Sequence, residues 1–244
     1  MDRRDWVWDV PPLLHPIRMA RWGWYGKPVI WFPTGGGDYL DCERFLMVRA
    51  LSPLIEAGRI KLYAADSVSR SWANPDVAPH QKSWFQAQYD EHFLNHIVPA
   101  IREDCGGTDQ RFAVTGSSLG GYDALVIGAK HPEHVDLTIG MSGTYVLDRR
   151  MGAYRDENYY YNMPVQFLPQ LGEGPQLEGL RRSNFVLALG SGHAENPDYT
   201  NHVSRVLKHK QIPHRVEVWG PGSDHDWPTW RTMLPVFLNR LVRG

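Results

Sequence analysis

Cysteine is scarce in this chain. Cys42 and Cys105 are the only two in 244 residues, which excludes a small scaffold stapled by disulfides and a metal site built on paired cysteines. Both fall in stretches read as helix, and both read as free thiols of a reducing compartment. An excess of one charge is lacking too. Lys and Arg number 26 against 27 Asp and Glu, for a formal net charge of -1. That balance gives no electrostatic grip on nucleic acid or on an anionic membrane. No apolar run approaches the length of a membrane-spanning helix. The opening residues, Met1 to Trp6, lack the apolar core of a secretory signal. A cytoplasmic location is therefore expected. Metal-binding spacings such as H-E-x-x-H and phosphate-binding patterns such as G-x-G-x-x-G are missing, so no metal and no cofactor is expected.

What the chain does have is an apolar share of 42%, enough for one sizeable core. Residues 1–244 are read as a single domain. Apolar runs alternate with helical stretches. Strands are expected at 29–33, 59–65, 111–115, 135–141, 185–189 and 214–219. Helices are expected at 42–57, 83–103, 118–130, 199–210 and 227–241. Alternation of this kind predicts an α/β fold with a mostly parallel central sheet and helices on both faces. Residues 6–10 and 17–22 read as antiparallel edge strands. The interval 149–182 breaks the pattern. Gly152, Pro164, Pro169, Gly172, Gly174, Pro175 and Gly179 leave it no clean period, and it reads as an irregular, cap-like excursion.

The most informative stretch is Gly116-Ser117-Ser118-Leu119-Gly120. By composition alone, G-x-S-x-G occurs in about one chain in ten of this length. Its context sharpens the signal, because it joins an apolar strand to a helix, the setting of a nucleophile elbow. Ser118 is then the nucleophile, and the backbone N–H of Leu119 is one oxyanion donor. The second donor is expected from the glycine loop after strand 29–33, at Gly36 or Gly37.

A base and an acid must follow in that order of position, acid first along the chain. His225 sits in a polar loop after strand 214–219 and is the base candidate. Glu195, in the loop after strand 185–189, is the preferred acid. Asp198 is the alternative acid, although it reads better as the N-cap of the next helix. Asp148 is a third choice. His193 lies near Glu195 but reads as a solvent-facing loop residue. Trp72, Tyr160 and Trp227 fall in or beside loops at the expected carboxyl ends of strands, and read as walls of a substrate pocket that favours short or aromatic esters.

Several pieces together resemble the putative-esterase family of α/β-hydrolases, to which esterase D and the antigen 85 mycolyltransferases belong. They are Phe32-Pro33-Thr34-Gly35-Gly36-Gly37, Ala65-Asp66-Ser67 with Ser71-Trp72, the elbow, and His225-Asp226-Trp227-Pro228 with Trp230. The resemblance spans about 29–238. It implies an α/β-hydrolase fold, a Ser–His–acid triad and a small-molecule ester or thioester substrate. An acyltransferase with the same triad is an alternative, and so is a non-catalytic binding protein on this fold. The oligomeric state is left open.

Overall fold

The computed structural model describes residues 2–242. Eight strands form one sheet: β1 Arg3–Trp8, β2 Ile17–Trp22, β3 Lys27–Phe32, β4 Ile60–Ala65, β5 Phe112–Ser117, β6 Val135–Met141, β7 Asn184–Leu189 and β8 His214–Val218. Their order is β1-β2-β4-β3-β5-β6-β7-β8. β1 pairs antiparallel with β2 at one edge, β2 pairs antiparallel with β4, and the strands from β3 to β8 pair parallel among themselves.

Central parallel strands are covered on both faces and so need apolar side chains on both. All six residues of β4 and all six of β5 are buried. Alternate side chains serve opposite layers. Val29 and Trp31 of β3 join the layer of helices Met47–Glu56 and Trp227–Leu241, with Leu51, Met233 and Phe237. Ile30 and Phe32 join the other layer, with Tyr89, Leu125 and Leu207 from helices Pro79–His92, Leu119–Lys130 and Pro197–His209.

Two segments take a course other than the one expected. The stretch 42–57 divides into Asp41–Arg44 and Met47–Glu56 because Leu46 adopts φ 64°. The excursion at 149–182 is a string of short helices, not an irregular loop. Pro164, Pro169 and Pro175 each sit in a first turn, where proline fits, and none of the helices exceeds seven residues. The string packs along the flank of helix Leu119–Lys130. Asn162 accepts from the Tyr122 hydroxyl at 2.8 Å and from Lys130 Nζ at 2.9 Å.

Strand order also locates the crevice. From β3 the chain moves outward to β4, then crosses back to β5 and continues through β6, β7 and β8. The direction reverses between β3 and β5. An open α/β sheet binds ligands beyond the carboxyl ends of its strands at such a reversal.

Candidate active site

Ser118 stands at that reversal, between β5 and helix Leu119–Lys130. Its backbone has φ 57° and ψ -120°, a costly conformation for a residue with a Cβ. Neighbouring backbone holds it there. Ser118 N–H donates to Met141 O at 3.0 Å, and Thr144 N–H donates to Ser118 O at 2.9 Å. The turn is so tight that a Cβ on Gly116 would lie 2.3 Å from Gly120 O, and one on Gly120 would lie 2.3 Å from Phe32 O. The helix therefore starts pressed against the end of β3. The Leu119 N–H is one of its unpaired first-turn donors.

The glycine loop lies on the β3 side. Gly37 N–H donates to Thr34 O at 3.0 Å, closing a turn in which Gly36 has φ 79°. A positive φ at the third turn position is what a type II turn demands of glycine. This bond spends the Gly37 N–H, so Gly37 is corrected as a donor candidate, and the Gly36 N–H, which has no backbone acceptor among the described residues, is the one left. The loop is braced from several sides. Arg70 Nε donates to Gly37 O at 2.8 Å, the Ser69 hydroxyl to Thr34 O at 3.1 Å, and the Thr34 hydroxyl to buried Asp41 at 2.9 Å. Donors fixed in advance need little reorganisation as charge develops on a ligand.

The loops after β7 and β8 bring two of the expected residues together. Ser191 and Gly192 N–H groups both donate to Ser223 O at 3.0 Å. A Cβ on Gly190 would meet Ser223 O at 2.3 Å, so the two loops are in direct backbone contact. Glu195 Oε2 stands 3.8 Å from His225 Nδ1. Burial pushes the Glu195 carboxyl up, but the His225 ring, the Ser142 hydroxyl and the Gly190 N–H outweigh it, and the group lies below the usual carboxylate range. His225 donates its backbone N–H to Asp224 at 2.8 Å. The Ser118 hydroxyl and the His225 ring share no hydrogen bond among the described residues.

The other acids are placed elsewhere. Asp198 is exposed in the first turn of helix Pro197–His209. It is not the N-cap either. Asn196 is, accepting from Tyr199 N–H at 3.4 Å, and Pro197 takes the first helical position. Asp148 accepts from Arg155 at 2.7 Å and from the Tyr159 hydroxyl at 2.9 Å, away from His225. His193 is exposed.

Two of the three expected pocket aromatics are corrected. Trp72 is 1% exposed. Its indole donates to Gln86 Oε1 at 2.8 Å and meets Tyr122 edge-on, so it is core beneath the surface. Tyr160 lines a cleft with Lys130, Phe167 and Leu171. Lys130 ends the helix that Leu119 begins, about 17 Å along the axis at 1.5 Å per residue. That cleft is remote from Ser118. Trp227 does lie beside the His225 loop, stacked on Phe45 with centroids 4.6 Å apart and edge-on to Trp230 at 5.5 Å.

Sequence reading gave Ser142 no role, and it had Trp230 as part of the motif with His225-Asp226-Trp227-Pro228 but with no partner in the site. The Ser142 hydroxyl donates to Glu195 Oε1 at 2.6 Å and accepts from Trp230 Nε1 at 2.9 Å. A polar residue just past a buried parallel strand was the available signal.

One buried charge lies on the helix that Ser118 starts. Asp123 is 1% exposed, and among the described residues neither carboxyl oxygen has a partner in good hydrogen-bond geometry. Burial pushes it from 3.8 up to about 7, the Ser67 hydroxyl offsetting a little of this. Between those two values the folded state holds a proton that the unfolded chain has lost. Stability from this group is thus full below pH 4 and falls as pH rises to about 7, by at most about 4 kcal/mol. Asp123→Asn is expected to gain on the wild type across that interval, read by urea unfolding at pH 5 and pH 8. A stability difference that is the same at both values would contradict the assignment.

A mostly parallel eight-stranded sheet with a serine on a strained strand–helix turn defines an α/β-hydrolase. The chain belongs to the putative-esterase family, whose model matches residues 47–241, and it is a carboxylic ester hydrolase. Solved structures show the same fold at low identity. A ferulic acid esterase matches with a TM-score of 0.73 and 16% identity, over 99% of this chain and 97% of that one. An S-formylglutathione hydrolase from Agrobacterium tumefaciens matches with 0.69 and 14%, over 98% and 93%. MPT51 of Mycobacterium tuberculosis matches with 0.71 and 13%, over 99% and 98%. No curated protein matches in sequence. Among the described residues no helix is long and apolar enough to cross a membrane.

Proposed function

We propose that this esterase works through Ser118, His225 and Glu195 by way of an acyl-enzyme. The observation that carries the reading is the Glu195–His225 pair, held in two contacting loops at the carboxyl ends of β7 and β8. Ser118 Oγ attacks the ester carbonyl as His225 takes its proton. Leu119 and Gly36 N–H groups hold the oxyanion, each such donor being worth roughly 3–4 kcal/mol. Collapse of the tetrahedral adduct breaks the acyl–oxygen bond, and His225 returns the proton to the departing alcohol. Water, deprotonated by His225, then attacks the acyl-enzyme and releases the acid. Glu195 holds the ring and offsets the imidazolium charge.

The substrate is a small-molecule carboxylic ester or thioester. With Trp72 in the core and Tyr160 remote, no preference for short or aromatic acyl groups is carried forward. A fluorophosphonate probe should label the protein once per chain, with peptide mass mapping to Ser118. p-Nitrophenyl esters of graded length, with methyl ferulate added for the likeness to the ferulic acid esterase, would define the acyl group. Absence of labelling together with absence of turnover on the whole panel would overturn the reading.

A further inference from the structure

We propose that Ser142 is a positioning residue for Glu195 and that Trp230 sets the direction of its hydroxyl. The proposal rests on Glu195 acting through His225. Ser142 follows β6 directly and takes φ 49°. Its N–H donates to Ala188 O at 2.7 Å, which ties the β6 loop to β7. The residue is 5% exposed, so its hydroxyl must find partners within the protein.

The two partners differ in kind. An indole N–H can only donate, so the 2.9 Å bond from Trp230 occupies an acceptor site of Ser142 Oγ. The hydroxyl's one proton is then directed at Glu195 Oε1, 2.6 Å away. The same Oε1 also accepts from Gly190 N–H at 2.9 Å. One carboxylate oxygen is thereby held by two donors, and the other, Oε2, is left to face His225 Nδ1. Both donors favour the ionised carboxylate. Trp230 has a second contact in the same group: its ring meets that of His225 nearly perpendicular, with centroids 5.3 Å apart. The loops after β6 and β7 and the last helix are joined through one hydroxyl.

The test compares wild type, Ser142→Ala, Ser142→Gly and Trp230→Phe on p-nitrophenyl acetate. Glycine suits the positive φ and keeps the backbone while deleting the hydroxyl. Both Ser142 variants should lose roughly 10–100-fold in kcat with KM within about threefold. The acid limb of kcat/KM should move to higher pH, because a carboxylate with fewer donors protonates sooner. Trp230→Phe should shift the limb in the same direction by less. In a Glu195→Gln background, Ser142→Gly should cost little more, since its effect passes through the missing carboxylate.

Unchanged kcat and an unchanged acid limb in Ser142→Gly would overturn the proposal while leaving the triad standing. So would a fall in kcat that adds fully to that of Glu195→Gln. A wild type that neither turns over nor labels would instead sink the triad reading, and this proposal with it.

Discussion

Ser118→Ala is expected to lower kcat for a p-nitrophenyl ester by about 10⁵–10⁶ and to abolish fluorophosphonate labelling, the scale seen when the nucleophile of a serine hydrolase is removed. The fold should survive. Alanine inherits the φ of 57° with no more strain than serine, and the bonds that pin the turn, to Met141 O and from Thr144 N–H, are made by backbone. Melting temperature should change by only a few degrees. Ser117 offers no substitute. It is fully buried within β5 and its hydroxyl has no partner among the described residues, so it is shut off from the crevice. The reading is falsified if the variant keeps turnover near that of the wild type.

Glu195→Gln is the second large effect, with kcat expected to fall by about 10⁴ and KM nearly unchanged. An amide is the same size but brings two N–H donors. Its single oxygen can serve only one side: either the Ser142 hydroxyl and Gly190 N–H, which now share one carboxylate oxygen, or His225 Nδ1 across from the other. If the amide nitrogen faces the ring, Nδ1 becomes an acceptor and the proton moves to the nitrogen that must serve as base. Asp198→Asn, at an exposed first-turn position, should stay within about twofold of wild type, as surface changes away from a site usually do. If the two outcomes were exchanged, the acid would have to be reassigned to Asp198.

Much of this was legible because backbone geometry dictates residue type. A turn with Gly120 against Phe32 O admits no other residue, so G-x-S-x-G could be read with its partners in order. The buried runs of β4 and β5 marked the sheet for the same kind of reason. Side-chain direction was not legible. Trp72 lies just past a strand end, yet it turns inward because Gln86, 14 residues on, supplies a partner for its indole. Asp198 was taken for a cap because acidic residues favour a first turn, whereas the Asn196-Pro197 pair sets the helix start two residues earlier. Gly37 looked as free as Gly36 until the turn to Thr34 spent its N–H. Leu46 carries no sign in its chemistry of the left-handed φ that breaks its helix.

Strand order divides the labour of the proposed reaction. Every group that would touch the carbonyl, Ser118 and the Leu119 and Gly36 N–H groups, belongs to the chain between β3 and the start of the elbow helix. Every group that handles the proton, His225 with Glu195, Ser142 and Trp230, comes after β6. The first set rests on the centre of the sheet. In the second, Glu195 and His225 hang from β7 and from β8, a five-residue margin whose Arg215, Val216 and Val218 are exposed. Margins of a sheet open before its middle does. Turnover therefore has the endurance of the β7–β8 border and not of the sheet as a whole, and a protein still mostly folded by global measures would already have parted its nucleophile from its base.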